Sequence, residues 1–269
     1  MSRRRSELVR AFLDVLFPEG GCALCGSWLP VSVRGHPWSV EVCPTCLEAI
    51  FASPYRRQTD GCRESVGGWL DGVVAGGPYS GGLERAVLRL KTAPDRRLAR
   101  VLARLLAERL DEAGLVGAGA VWTALVPVPL HAERQRERGF NQAALLADAL
   151  GELLGVPVWP RACERVRATP LQSGLGREER ACNVLGAFRV TARGREDLLR
   201  CAVQAGRTGA GVRLMAVDDV LTTGATLGEV ARVLKAAGAG AVWGAVVANA
   251  LPPSPINGRF GRNEATRGE

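Results

Sequence analysis

The stretch at residues 215–229, MAVDDVLTTGATLGE, decides how this sequence is interpreted. It overlaps an apolar run at 212–217, which predicts a buried strand. Two adjacent carboxylates, Asp218 and Asp219, stand where that strand should end, and the loop at 222–226 leads into a helical pattern. Strand, acidic pair, loop and helix in this order predict a ligand site at the carboxyl edge of an α/β sheet.

The loop that follows the acidic pair is suited to an anion. Its residues are Thr222, Thr223, Gly224, Ala225 and Thr226. Hydroxyls and successive backbone N–H groups at a helix N-terminus favour phosphate, and the carboxylates of Asp218 and Asp219 can accept the two hydroxyls of a ribose. The alternative is an ordinary turn in which Asp219 or Thr223 only caps the helix. The combined order of features favours a sugar 5-phosphate site.

The surrounding sequence alternates between strand and helix patterns. Helices are predicted at 83–90, 97–110, 140–154 and 225–237, and strands at 121–126, 156–159, 188–190, 212–217 and 241–247. This alternation predicts an α/β fold with a parallel sheet. Residues 161–186 have no clean period and are interpreted as a mobile loop with a short helix.

Composition shifts divide the chain into five segments. They are an N-terminal helix at 1–17, a four-cysteine module at 18–60, a linker at 61–82, the α/β domain at 83–250 and a disordered tail at 251–269.

The four-cysteine module predicts a metal site. Cys22 and Cys25 form one Cys-x2-Cys pair, and Cys43 and Cys46 form a second. Two such pairs match the knuckles of a structural zinc site, which four thiolates would close completely. His36 could replace one cysteine, and reduced core cysteines are the alternative. The other cysteines, Cys62, Cys163, Cys182 and Cys201, lack pair spacing and are interpreted as small packing residues.

Charge and composition exclude several classes. The net charge of +8 comes mainly from arginine, since only Lys91 and Lys235 are lysines, and this excess alone is weak evidence for nucleic acid. No apolar run is long enough for a membrane span and the basic N-terminus does not resemble a secretory leader, so a cytoplasmic protein is expected. The chain has no GxxxxGK[ST] motif and no complete GxGxxG motif, which disfavours P-loop enzymes and dehydrogenases.

Several motifs together resemble one family. Beside the stretch at 215–229, they are VPVPL at 126–130 with Arg134, RGFNQ at 138–142, ATPLQSGL at 168–175, and Glu179, Arg180, Asn183 and GAF at 186–188. With the N-terminal cysteine module, the chain resembles the ComF family of competence-associated proteins, which have a type I phosphoribosyltransferase fold, over about residues 12–249.

This resemblance implies a ligand and roles for the site residues. The ligand is phosphoribosyl pyrophosphate (PRPP), with Asp218 and Asp219 on the ribose hydroxyls and the loop at 222–226 on the 5-phosphate. The turn after residues 126–129 would bind pyrophosphate, and residues 167–186 would close over the ligand. The implied fold is a parallel-sheet type I phosphoribosyltransferase domain preceded by a small zinc-binding domain.

Phosphoribosyl transfer expels pyrophosphate, whose charge must be neutralised by Mg²⁺ and by cationic side chains. The candidate cations are Lys91, Arg134, Arg138, Arg177 and Arg180, and Arg138 is singled out because it opens the RGFNQ motif. His131 could carry a proton or contact pyrophosphate, although a single loop histidine more often does neither.

The family also implies a role in DNA uptake, with single-stranded DNA or an uptake helicase as partners. Trp28, Trp38 and Trp69, with arginines nearby, make the cysteine module the best candidate contact, although the sequence favours hydrophobic filling of a small zinc domain as their role. Two hypotheses follow. One is a phosphoribosyltransferase with an unidentified acceptor, and the other is a non-catalytic module that senses a ribose phosphate and binds DNA or a helicase.

Overall fold

The computed structural model describes residues 21–27, 29, 41–52, 68–117, 122–167, 184–208 and 211–251. Within these, the elements in chain order are α1 (Pro44–Phe51), β1 (Gly72–Pro78), α2 (Gly81–Thr92), α3 (Arg96–Glu112), β2 (Ala124–Pro127), α4 (Ala132–Arg138), α5 (Gln142–Leu154), β3 (Cys163–Arg165), β4 (Phe188–Val190), α6 (Ala192–Thr208), β5 (Arg213–Leu221), α7 (Ala225–Ala236) and β6 (Ala241–Asn249).

A four-stranded sheet in the order β1-β6-β5-β2 forms the centre of the described structure. Every neighbouring pair is parallel, which confirms the predicted α/β class. Alternate residues of β5 pack on opposite faces, with Met215 and Val217 against α2, α3 and α5. Leu214 and Ala216 pack against α7 and a small antiparallel sheet of β3 and β4. The sheet is therefore covered on both sides, as parallel sheets require.

The first strand lies inside the interval that was predicted to be a linker. The run GVVAGGP forms β1, which pairs with β6 along most of its length, so the sheet begins before residue 83. The sequence signal failed here because Gly-Gly-Pro is typical of turns. The glycine at 76 has a packing reason, since a Cβ there would lie 2.5 Å from the carbonyl oxygen of Val247 and 2.8 Å from Leu105.

Replacing Gly76 with alanine is therefore expected to destabilise the sheet. A Cβ at that distance forces β1 away from β6 or displaces α3, and such overpacking costs about 1–3 kcal/mol or more. Chemical denaturation should show this loss in Gly76→Ala. Gly211→Ala is the matched control, because a Cβ at Gly211 meets only Gly240 at 3.9 Å. Equal stability of the two variants would contradict the packing argument.

Other elements differ from their predicted bounds. Residues 156–159 make only an isolated bridge, from Val158 to Leu125, and part of the predicted loop at 161–186 is ordered as β3. The helices α1, α4 and α6 were not predicted, whereas the strand at 188–190 is confirmed as β4. The predicted helix at 1–17 and the tail after residue 251 lie outside the described residues.

The cysteine module packs directly on the α/β domain. Arginines one helical turn apart on α3 reach it: Arg97 donates to the carbonyl of Gly21 at 3.2 Å, and Arg100 and Arg104 form ion pairs with the buried Glu41. Helix α1 lies so close to α2 that a Cβ at Gly82 would be 2.3 Å from the carbonyl oxygen of Ala49. None of the helices described is long and apolar enough to cross a bilayer.

Candidate functional site

The acidic pair lies at the carboxyl edge of the sheet, but inside β5 and not after it as predicted. β5 continues because β6 pairs with it as far as Leu221, opposite Asn249. β2 stops earlier, at Pro127 opposite Val217, so Asp218 and Asp219 project beyond the end of that neighbouring strand. The early end of β2 opens a crevice beside the carboxylates, which is where parallel α/β sheets bind ligands.

The two carboxylates point to opposite faces of the sheet, since neighbouring strand residues alternate. Asp219 faces α2 and forms an ion pair with Lys91, whose Nζ is 3.0 Å from Oδ2. The same Oδ2 is buried and has no hydrogen bond of good geometry. Asp218 faces the small antiparallel sheet, and its Oδ1 accepts the backbone N–H of Asp219 at 2.9 Å. Lys91, which was predicted as a candidate cation for pyrophosphate, thus contacts the acidic pair.

The surroundings of Asp218 disfavour the ionised form of its carboxyl group. Burial raises the pKa of Asp218 well above its usual range, and the neighbouring Asp219 charge raises it further, while Lys91 partly opposes both effects. The folded chain therefore holds the Asp218 proton more tightly than the unfolded chain does. The contribution of Asp218 to the free energy of unfolding is fully present below the ordinary carboxyl pKa. It is lost as the pH rises through the raised pKa of the folded state.

Asp218→Asn is accordingly expected to stabilise the protein without ligand at neutral and alkaline pH. Asparagine keeps the Oδ1 acceptor but never ionises, so the melting temperature should exceed that of the natural protein by a few degrees at pH 8. The difference should shrink as the pH falls below the ordinary carboxyl pKa, to about pH 3, where Asp218 is neutral in both states. Asp111→Asn, at an exposed position, is the control. A difference between the melting temperatures that does not change with pH would contradict the assignment.

The loop after the acidic pair leaves the start of α7 open. Gly224 is the N-cap, with a φ of 78°, and no side chain caps the helix. The Thr223 hydroxyl is 3.4 Å from the Ala225 amide, and Asp219 is directed to Lys91, so neither residue supplies the ordinary cap. The first turn of α7 contains no acidic residue. Free amide groups and an uncompensated helix dipole favour an anion at this position.

The RGFNQ motif organises the loop that follows β2. Arg138 ends α4, Gly139 closes that helix with a φ of 77°, and Asn141 caps α5. The Asn141 amide also donates to the carbonyl of Val128 at 3.0 Å, while Arg138 donates to Gln142 at 2.5 Å. These bonds fix the loop after residues 126–129 against the start of α5. The motif is therefore explained by loop geometry as well as by charge.

Arg165 is a candidate site residue that the sequence analysis missed. Its backbone forms a bridge with His131, and its guanidinium lies 5.4 Å from the ring centroid of Phe188. Burial lowers the pKa of Arg165, the nearby Arg134 lowers it further, and Asp218 raises it. Arg134 and Asp218 are thus near enough to Arg165 to influence its charge. Because arginine is so common in this chain, the sequence did not distinguish Arg165 from the arginines on the surface.

The ends of the predicted mobile loop are anchored close to this crevice. Val166 donates its amide to Ala187 at 2.8 Å, which extends the pairing of β3 with β4. The amide of Gly186 donates to the buried Glu229 of α7 at 2.8 Å. Glu229 was not predicted as a site residue, and its hydrogen bond joins α7 to the segment that begins at residue 184. Arg177 and Arg180 lie outside the described residues.

The four cysteines of the N-terminal module meet in one cluster, as predicted. The Sγ atoms of Cys22, Cys25, Cys43 and Cys46 all lie within 4.8 Å of one another. The Cys25 and Cys43 sulfurs are 3.8 Å apart, which matches the edge of a tetrahedron with metal–sulfur bonds of about 2.3 Å. Cys22 Sγ also accepts the backbone amides of Cys25 and Cys43 at 3.5 and 3.2 Å.

The thiols of the cluster differ in acidity. Hydrogen bonds from Ser27 lower the pKa of Cys25 to about 6, whereas burial raises the pKa of Cys43 and Cys46. A divalent cation would offset that burial cost by stabilising the thiolates. Cys163 and Cys201 lie outside this cluster, and Cys62 and Cys182 are outside the described residues.

Comparison with known proteins places the chain in a family. No family model matches it. Competence protein F of Haemophilus influenzae is 30% identical over 236 residues, which cover 83% of this chain and 95% of that protein. DNA utilization protein YhgH of Salmonella typhimurium is 32% identical over 225 residues, covering 83% and 87%. Competence protein ComFC of Bacillus subtilis is 35% identical over 111 residues, covering 41% and 37%. The chain, with its four-cysteine cluster and parallel sheet, belongs to the ComF family of competence and DNA utilization proteins.

Proposed function

We propose that this protein binds PRPP with Mg²⁺ and transfers its phosphoribosyl group to an acceptor in the cytoplasm. The observation that carries the proposal is the crevice at the carboxyl edge, where the acidic pair of β5 stands beside the uncapped start of α7. Carboxylates suit ribose hydroxyls, and the helix start suits the 5-phosphate. The two ends of one phosphorylated ribose are thus matched by two neighbouring features of the chain.

Each group in the crevice has a proposed role. Asp218 and Asp219 accept the ribose hydroxyls, and the loop at 222–226 binds the 5-phosphate through its amides and hydroxyls. Arg134 and Arg165 lie toward the loop after β2, where pyrophosphate would extend, and Arg138 holds that loop in place. Lys91 balances the charge of Asp219 until the ligand binds.

The chemistry requires charge neutralisation more than a strong base. Cleavage at the anomeric carbon develops positive charge on the ribose and negative charge on the departing pyrophosphate. Negative charge on the carboxylates of β5 would favour the former, and the guanidiniums of Arg134 and Arg165 would favour the latter. Mg²⁺, when bound with PRPP, would supply further positive charge to the pyrophosphate oxygens. Closure of residues 167–186 would exclude water, as the family resemblance implies.

The cysteine cluster is proposed to hold one structural Zn²⁺. Four sulfurs at tetrahedral spacing, with backbone N–H donors to Cys22, fit zinc and leave no open coordination position. The ion would therefore fold the module and would not take part in transfer. Because α1 carries Cys46 and packs on α2, the metal also supports the helix that holds Lys91.

Isothermal calorimetry tests the proposed ligand directly. The purified protein is titrated with PRPP in the presence and absence of Mg²⁺, and with ribose 5-phosphate for comparison. Micromolar binding of PRPP that requires Mg²⁺ is expected, and release of pyrophosphate is then measured with a panel of nucleobases and other acceptors. Absence of heat and of any thermal shift with either ligand would refute the proposed site.

A non-catalytic module is the second candidate. The names of the relatives, competence protein and DNA utilization protein, describe no transfer reaction. In this case the crevice senses a ribose phosphate, and the cysteine module binds single-stranded DNA or an uptake helicase. PRPP binding without pyrophosphate release from any acceptor, together with loss of partner binding in Cys22→Ser, would favour this candidate.

A further inference from the structure

A cavity of about 400 Å³ lies apart from the crevice, and no proposed role above uses it. One wall is the segment that connects α5 to β3, with Trp159 and Arg161, and the other is α6, with Arg193, Asp197 and Arg200. It adjoins the end of the small sheet at which Cys163 pairs with Val190. The opposite end, at Arg165 and Phe188, adjoins the crevice.

The cavity is built from fixed parts. Trp159 is held by its backbone, whose amide donates to the carbonyl of Leu125 at 2.8 Å. The Arg161 carbonyl accepts the Thr191 hydroxyl at 2.5 Å, which fastens this wall to the start of α6. At Gly194 the two walls touch, because a Cβ there would lie 2.2 Å from the carbonyl oxygen of Ala162. A rigid, half-open cavity of this size falls in the range of ligand sites.

The charges are arranged for an anion. Asp197 is only 6% exposed, and its carboxylate receives Arg193 Nε at 3.0 Å and Arg200 Nη2 from either side. Each guanidinium uses one edge for this ion pair, which fixes its orientation on α6. The side chains of Arg193 and Arg200 remain 61% and 59% exposed. Arg161 adds a third, exposed cation. Three arginines against one aspartate leave a net positive lining with free N–H donors.

We propose that this cavity binds a nucleotide unit of a single-stranded nucleic acid, with a base stacked on Trp159 and its phosphates on Arg161, Arg193 and Arg200. An indole ring next to guanidiniums suits a base and a phosphate together. The exposed placement of the arginines favours a continuous strand over a free nucleotide, because a strand brings successive phosphates. The site does not depend on PRPP binding.

The test is fluorescence anisotropy of a labelled 12-residue oligothymidylate with the full-length protein. Trp159→Leu is expected to weaken binding about tenfold or more through lost stacking, and Trp159→Phe should restore most of the affinity. Log affinity falls as log salt concentration rises, and Arg161→Gln should make this slope less steep by about 0.7, as expected for one lost phosphate contact. Arg85→Gln, an exposed arginine on α2, is the matched control and should leave the slope almost unchanged.

The outcomes separate this proposal from the proposed function. PRPP titration of Trp159→Leu should match the natural protein, and oligothymidylate binding should survive substitution of the acidic pair. Unchanged affinity in both Trp159→Leu and Arg161→Gln would overturn the cavity as the binding site. If thymidine monophosphate displaces the labelled oligonucleotide when both are at the same concentration, the proposal that the site prefers a strand is overturned. Failure of PRPP to bind would leave this result standing and would refute only the proposed function.

Discussion

Asp218→Asn combined with Asp219→Asn is expected to reduce the affinity for PRPP by about 100-fold or more. Hydrogen bonds to charged groups are worth about 1.5–3 kcal/mol each, so losing two such contacts with the ribose hydroxyls costs at least two orders of magnitude. Both side chains lie beyond the last residue of β2, and the only ion pair that either carboxylate forms among the described residues joins Asp219 to Lys91. Calorimetry of the double variant with PRPP and Mg²⁺ measures the loss.

The protein must stay folded for this result to be informative. Asparagine keeps the size and the acceptor oxygen that binds the Asp219 amide, and Lys91, with 32% of its side chain exposed, can be hydrated when Asp219 loses its charge. The melting temperature is therefore expected to stay equal or to rise. Asp111→Asn, far along α3, should bind PRPP normally. Unchanged affinity in the double variant would show that PRPP, if bound, lies elsewhere.

The acidic pair could be found from sequence because its signal is local. A continuous apolar run predicts a buried strand, and the polar residues that follow it must lie at the carboxyl edge. The cysteine cluster could be found for the same reason, since the pair spacing sets the knuckle geometry. Only the point where β5 ends was wrong, because its pairing partner, and not its own composition, carries it to Leu221.

The features that were missed depend on contacts between distant parts of the chain. β1 has glycine at position 76 because Leu105 and the backbone of β6 approach it closely, and nothing within GVVAGGP shows those neighbours. Arg165 comes near Asp218 in a fold where β3 runs beside His131, and the hydrogen bond from Gly186 to Glu229 spans 43 residues. Tertiary packing determines where these residues lie, and local patterns in a single sequence do not predict such packing.

Loss of the zinc proposed for the cysteine cluster is expected to have the second large effect. Structural zinc contributes about 10–16 kcal/mol in isolated zinc-finger peptides, so even part of that amount would dominate a small module. Cys22→Ser removes a sulfur that accepts two backbone amides, from a residue that is only 3% exposed. We expect the zinc content measured by atomic emission to fall from about one to near zero per chain, and the first unfolding transition to shift down by roughly 10 °C or more.

The position of the cysteine module determines which other parts of the protein its unfolding should affect. The module touches α2 near Gly82, whereas Lys91 lies nine residues further along the same helix, about 13 Å away by helical rise. Cys22→Ser is therefore expected to weaken PRPP binding only a few-fold, while hydrogen exchange should increase throughout residues 41–52. Cys201→Ser, a half-buried cysteine on α6, is the control and should keep both zinc and stability. Full zinc content in Cys22→Ser would contradict the four-cysteine site, and complete loss of PRPP binding would mean that the module supports the sheet itself.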